Sequence, residues 1–115
     1  MVYSTNSGWV VGFADHRAKK EFASLSRDLQ TYLQRIKDLI EKHGLENVRE
    51  PYVKHISGKI WEMRAKDKDG IVRALYVTVT GKKVVILHTF VKKTQKTPQE
   101  AINLAIKRGK ELGYL

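Results

Sequence analysis

Residues 59–91 read KIWEMRAKDKDGIVRALYVTVTGKKVVILHTFV, and the period of their side chains decides the fold. From Lys59 to Lys66 the chain alternates, with Trp61, Met63 and Ala65 on one side and Ile60, Glu62, Arg64 and Lys66 on the other. A period of two belongs to an extended strand, whose successive side chains point to opposite faces. Trp61 and Met63 therefore read as core. Asp67-Lys68-Asp69-Gly70 carries turn chemistry and leads into Ile71–Thr80, rich in Val, Leu, Tyr and Thr. Gly81-Lys82 makes the next tight turn, and Val84–Val91 is almost wholly apolar, as in a strand covered on both faces. Three strands joined by short turns predict an antiparallel meander.

Upstream the period changes. Leu29, Leu33, Ile36 and Ile40 recur at helical spacing, and Tyr32 and Leu39 widen the stripe. Ser26 can cap the start of this helix, and Gly44 behind Lys42 and His43 can end it. His16–Leu25 has helix-compatible composition after a capping Asp15, and Trp9–Phe13 reads as a short buried strand. Downstream, Thr97-Pro98-Gln99-Glu100 opens a last helix, with Thr97 as cap, Pro98 in the first turn and Glu100 completing a capping box. Ala101, Ile102, Ala105, Ile106 and Leu112 supply its packed side. The expected order is β-α-α-β-β-β-α, an α+β fold with a small antiparallel sheet packed by helices. One domain fills residues 1–115, residues 1–8 forming a loose lead-in; 115 residues with 42% apolar content suit one core and not two.

Charge narrows the function. Twenty-two Lys and Arg against twelve Asp and Glu give a formal net charge of +10, and the excess is one-sided. Residues 1–50 hold eight cations and seven acids, whereas residues 51–115 hold fourteen and five. A lopsided field of this kind attracts a polyanion, and nucleic acid is the commonest one in a cytoplasm. No apolar run approaches the roughly 18 residues of a membrane span. A basic amphipathic helix for a membrane surface is also missing, because the cations fall mainly on strands and turns. The N-terminal residues lack the pattern of a secretory signal, so a cytoplasmic location is expected. With no cysteine, disulfides, thiol catalysis and Cys-ligated zinc are excluded. There is no Gly-rich phosphate loop, no HExxH and no GxSxG, and the four histidines show no metal-pair spacing.

What remains is a basic and polar set on the meander. Glu62 and Arg64 share a strand face, Arg73 on the next strand comes within reach, and His88 and Phe90 alternate on the last strand. That strand runs out into Lys92, Lys93 and Lys96. Several cations beside a stackable ring suit a phosphodiester and a splayed base. The same residues also fit a hydrogen-bonded core histidine, a core phenylalanine and a solvated basic turn.

The run GKIWEMRAKDKDGIVRALYV (58–77), followed by VVILHTFVKKTQKTPQEAI (84–102), resembles the phage-derived HigB-like branch of the RelE toxins. Its W-E-x-R, G-x-x-R-x-x-Y and H-x-F-x-K-K-x-x-K-x-P elements carry the likeness, which extends over about residues 9–112. The resemblance implies a RelE-like fold and the toxin half of a type II toxin–antitoxin pair, a metal-independent endoribonuclease needing no cofactor. Such a toxin inhibits translation by cutting mRNA in the ribosomal A site through attack of the 2′-OH. It further implies that Arg64 and Arg73 hold the scissile phosphate and that Lys92 and Lys93 stabilise the leaving group or grip the flanking backbone. Glu62 or His88 would take the proton, with Glu62 preferred and a lysine or water as alternatives; RelE itself has lysine where Glu62 aligns, and its late tyrosine has no counterpart here. Lys54, Lys59, Lys82, Lys83, Phe90, Lys96, Lys107 and Arg108 would contact RNA, including rRNA, largely through phosphates. The expected protein partner is an antitoxin of helix-turn-helix type with an acidic neutralising segment. A noncatalytic RNA- or ribosome-binding module is the alternative.

Overall fold

The computed structural model describes residues 6–68 and 70–115. Five strands and three α-helices follow in the order β1 (Val10–Phe13), α1 (His16–Ala23), α2 (Arg27–His43), β2 (Val53–Ser57), β3 (Ile60–Asp67), β4 (Gly70–Val79), β5 (Lys83–Lys92) and α3 (Gln99–Glu111). The strands form one sheet in the order β1-β5-β4-β3-β2, antiparallel except for the β1–β5 pair. The α+β class and the meander of β3, β4 and β5 are as expected. Asp69 of the expected turn and residues 1–5 of the expected lead-in lie outside the described residues. Ser7 is tied down, its hydroxyl donating to the carbonyls of Ile40 and Glu41.

β2 is an addition to the expected order. It is a short edge strand reading VKHIS, paired with β3 from Val53 opposite Met63 to Ser57 opposite Ile60, with an irregularity after His55. Only Val53 is buried, so the segment shows no alternation that the sequence could reveal. A short, charged and bulged strand is also a common way to blunt a sheet edge against further pairing.

The sheet is covered on both faces. On one side the α2 stripe Leu29, Leu33, Ile36 and Ile40 packs against Met63, Val72, Ala74 and Tyr76. Each such aliphatic side chain, once buried, contributes about 1.5–3 kcal/mol. On the other side Ala101 and Ala105 of α3 pack against Ile60, Leu75, Val77, Val85 and Leu87. Asp15 and Ser26 cap α1 and α2 by accepting from the backbone N–H of Ala18 and Leu29, and Gly44 ends α2 at φ 92°. Two expectations need correction. Trp61 is 39% exposed, because it stands beside the edge strand with the exposed His55 ring against it at 5.1 Å. Thr97 does not cap α3: Pro98 occupies that position without a side-chain bond, and the Thr97 hydroxyl is used elsewhere.

Candidate functional site

Register brings the sequence candidates onto the face that α3 shares. Arg64 on β3 is directly opposite Arg73 on β4, and Arg73 is opposite Phe90 on β5. Glu62 precedes Arg64 by two and stands opposite Leu75, which in turn faces His88. A register shift in β5 leaves Leu87 without an opposite residue, so Leu87 packs under α3 while His88 and Phe90 continue along that face.

At the centre is a charged cluster that the protein encloses. Glu62 and Arg73 are both 0% exposed, and buried charges are tolerated only when paired and hydrogen-bonded. The Glu62 carboxylate accepts from Arg64 Nε at 2.9 Å on Oε2 and from the Thr97 hydroxyl at 2.6 Å on Oε1. Arg73 Nε lies 3.4 Å from the same Oε1. The other ends of the two guanidinium groups meet at one atom: the Gln95 carbonyl accepts from Arg64 Nη2 at 3.0 Å and from Arg73 Nη2 at 2.9 Å. Arg73 Nη2 also donates to the Thr94 carbonyl. Nη1 of Arg73 has no hydrogen-bond partner among the described residues. Burial and the neighbouring Arg64 charge lower the Arg73 pKa, partly offset by Glu62. It stays a cation, because arginine does not deprotonate in proteins. Two cations and one anion leave the cluster with an uncompensated positive charge.

The expected open groove is therefore closed at Arg73. Residues 94–97 fold back across the sheet, and their carbonyls occupy the guanidinium donors. Glu62 is enclosed as well, with both oxygens engaged, so it is placed to hold Arg64, Arg73 and Thr97 and not to meet solvent or substrate. Lys92, Lys93 and Lys96 are exposed around this loop.

A second polar cluster seals the edge of β5. β1 pairs with β5 only from Lys83 to Ile86, which leaves the later backbone groups on that edge without a strand partner. Glu21 of α1 accepts from the Thr89 N–H at 3.1 Å, and Arg108 of α3 donates to the Leu87 carbonyl at 3.0 Å. Glu21 also pairs with Arg108 Nη1 at 2.9 Å and with His88 Nδ1 at 3.0 Å. Burial alone would raise the Glu21 pKa; the hydrogen bonds from His88, Arg108 and Thr89 outweigh it and bring the carboxyl down to about 2. The His88 ring stacks on Phe90 at 5.0 Å. Facing the Glu21 carboxylate, Nδ1 is the donor, and this bond fixes the orientation of the ring.

The remaining candidates scatter. Arg108, expected as a surface RNA contact, is 8% exposed and bonded inward as just described. Lys82 and Lys83 are at the opposite end of β5 from Lys92, Lys54 is on the edge strand β2, Lys59 is in the β2–β3 turn, and Lys107 is exposed on α3. Glu21 and the hydroxyl role of Thr97 escaped the sequence reading, since neither stands in a local pattern pointing to its partner.

Among the described residues no group of three His, Cys, Asp or Glu is arranged to hold a metal ion, and no helix is long and apolar enough to cross a membrane. Comparison with curated proteins finds no match. A family comparison does: residues 20–110, a span from within α1 to within α3 that includes both polar clusters, match the phage-derived protein Gp49-like (DUF891) family, and the chain belongs to it.

Proposed function

We propose that this protein is a metal-independent endoribonuclease, the toxin of a toxin–antitoxin pair, which cuts mRNA on the ribosome and so inhibits translation. The observation that carries the reading is the convergence of Arg64 and Arg73 on one oxygen, that of Gln95. Two guanidinium forks aimed at a single acceptor suit a phosphate oxygen, and arginine binds phosphate with planar, charge-assisted hydrogen bonds. Membership of a phage-derived family and the basic second half of the chain support the same reading.

In this reaction the 2′ oxygen forms a bond to phosphorus as the bond to the 5′ oxygen breaks, leaving a 2′,3′-cyclic phosphate and a 5′-hydroxyl. The 2′-OH proton goes to a base and the 5′ oxygen receives one from an acid. Arg64 and Arg73 stabilise the added negative charge of the pentacoordinate phosphorus. His88, oriented by Glu21, takes the 2′-OH proton through Nε2, in place of the enclosed Glu62. Lys92 or Lys93 serves the departing oxygen. For phosphate to reach Arg73, which is 0% exposed, the Thr94 and Gln95 carbonyls must leave the guanidinium groups. The closed loop favours a second reading, a noncatalytic RNA- or ribosome-binding module in which Arg73 is only structural.

Primer extension on message from a translating extract separates the two. The endonuclease gives new 5′ ends that vanish with Arg64→Ala, whereas a binding module slows translation and leaves the message whole. Arg64→Ala is the informative substitution because Arg64 is partly exposed and its loss leaves Arg73 on Glu62. Growth arrest and cleavage unchanged by Arg64→Ala would overturn the mechanism.

A further inference from the structure

A groove of about 770 Å³ runs between α2 and the far ends of β3 and β4, with Arg64 and Gln95 of the charged cluster at its border. Its size falls within the range of about 300–1,000 Å³ usual for small-molecule sites. We infer that this groove binds a nucleobase of single-stranded RNA next to the phosphate held at Arg64, with Tyr52 as its stacking platform and Arg35, Lys42 and Lys66 gripping the flanking backbone.

The lining favours that ligand. Arg35, Lys42, Arg64 and Lys66 contribute four cations, while Asp38 is the one carboxylate among the described residues of the lining. Apolar surface from Ile36, Leu39 and Ala65 forms the floor between them. An apolar floor bordered by cations and aromatic rings is what a stacked base between phosphates requires. Tyr52 is 47% exposed, so its ring is open to a stacking partner at the groove. On the α2 side the Arg35 guanidinium already lies over the Tyr32 ring, 5.6 Å from its centroid, so that pair is preorganised to flank a base. Continuity with Arg64 fixes the polarity of the chemistry: the base sits in the groove and its phosphate points to the cluster. A peptide of acidic and aliphatic residues would satisfy the cations but brings no ring to stack on Tyr52.

The inference rests on the ribonuclease reading for its ligand, and its test is made independent of cleavage. The probe is a single-stranded RNA pentamer with 2-aminopurine at its centre and every 2′-OH methylated, so that no cut can occur. Binding to the full chain at low salt should quench the 2-aminopurine emission. Tyr52→Ala should weaken binding about tenfold and abolish the quench, and Tyr52→Phe should restore both, with thermal stability unchanged in each. Equal affinity of wild type and Tyr52→Ala would overturn the site. So would tighter, Tyr52-dependent binding of a Glu/Leu amphipathic peptide that displaces the RNA. Loss of the Tyr52 effect with message cleavage intact removes the groove and leaves the nuclease; a retained Tyr52 effect with no cut message does the reverse.

Discussion

Arg64 and Arg73 stand directly opposite each other on neighbouring strands and direct their guanidinium groups at one acceptor, the Gln95 carbonyl. Like charges at this separation repel, and the arrangement holds because Glu62 lies behind both and the loop carbonyls lie in front. The cluster thus stores a cationic point that only a second anion can fully satisfy. A phosphate arriving there would replace neutral carbonyl partners with an anionic one, adding ion-pair attraction and a fork-shaped fit to bonds that the guanidinium charge already assists.

Removing one partner from this enclosed set should be costly. Arg73→Ala leaves the Glu62 carboxylate buried with one cation fewer, and the expected loss is about 3–5 kcal/mol of folding free energy. Adding Glu62→Gln should recover part of that loss. Urea denaturation of the two single variants and the double variant measures the coupling; additive losses would show that Glu62 and Arg73 do not sustain each other.

Thr97 gives a discriminating case. Its hydroxyl donates to Glu62 at 2.6 Å and does not cap α3. Thr97→Ser keeps the donor and should stay within about 0.5 kcal/mol, whereas Thr97→Val removes a bond to a buried carboxylate and should lose about 1–3 kcal/mol. Thr97→Asp decides the matter: aspartate is among the best helix caps, yet here it sets a second carboxylate against Glu62. A melting temperature raised by Thr97→Asp would restore Thr97 as a cap.

Much of this arrangement was legible in the chain, and the limit has a physical cause. Alternation over residues 59–91 places Glu62, Arg64, Arg73, His88 and Phe90 on strands, and register confirms that Arg64 meets Arg73. Alternation assigns a face but says nothing of how far that face is covered. Enclosure of Glu62 and Arg73 comes from residues 94–97 returning over strands 21 to 35 positions earlier in the chain. Such contacts leave no periodic trace. The same applies to Glu21, which reaches His88 and Thr89 across 67 and 68 positions to replace a strand neighbour that β1 is too short to supply. β2 escaped because an exposed edge strand need not alternate, and Trp61 misled because its ring lies beside that edge and not beneath α2.

The depressed carboxyl of Glu21 makes stability depend on pH with a definite sign. Its pKa falls from 4.5 to about 2 in the folded state, so the stabilisation is complete above about pH 4.5 and is lost as the pH drops toward 2. Allowing for the partial exposure of the side chain, that contribution is about 1–2 kcal/mol. Glu21→Gln should be less stable than the wild type by this amount at pH 7, and the two should converge between pH 4.5 and 2. A constant gap measured by urea titration at pH 7, 5 and 3 would mean that the charge on Glu21 is immaterial. The same variant bears on catalysis. On the proposed ribonuclease reading, Glu21→Gln removes the carboxylate that orients the His88 ring, so the rate of message cleavage should fall while RNA binding stays unchanged.

The exposed lysines around the loop act by a different law. Lys92, Lys93 and Lys96 flank the closed carbonyls without being buried among them, so on the proposed reading they attract RNA as solvated point charges. Each one that neutralises a phosphate releases counterions, and the logarithm of affinity then falls linearly with the logarithm of salt, by about 0.7 per contact on a single strand. Replacing all three with alanine should flatten the slope by about 2 for the uncleavable pentamer, while leaving the Tyr52-dependent quench in place at saturating RNA. Lys82→Ala/Lys83→Ala, at the opposite end of β5, should leave the slope for so short an RNA unchanged. Equal slopes for the Lys92/Lys93/Lys96 variant and the wild type would place the RNA path away from the loop and detach these cations from the chemistry at Arg64.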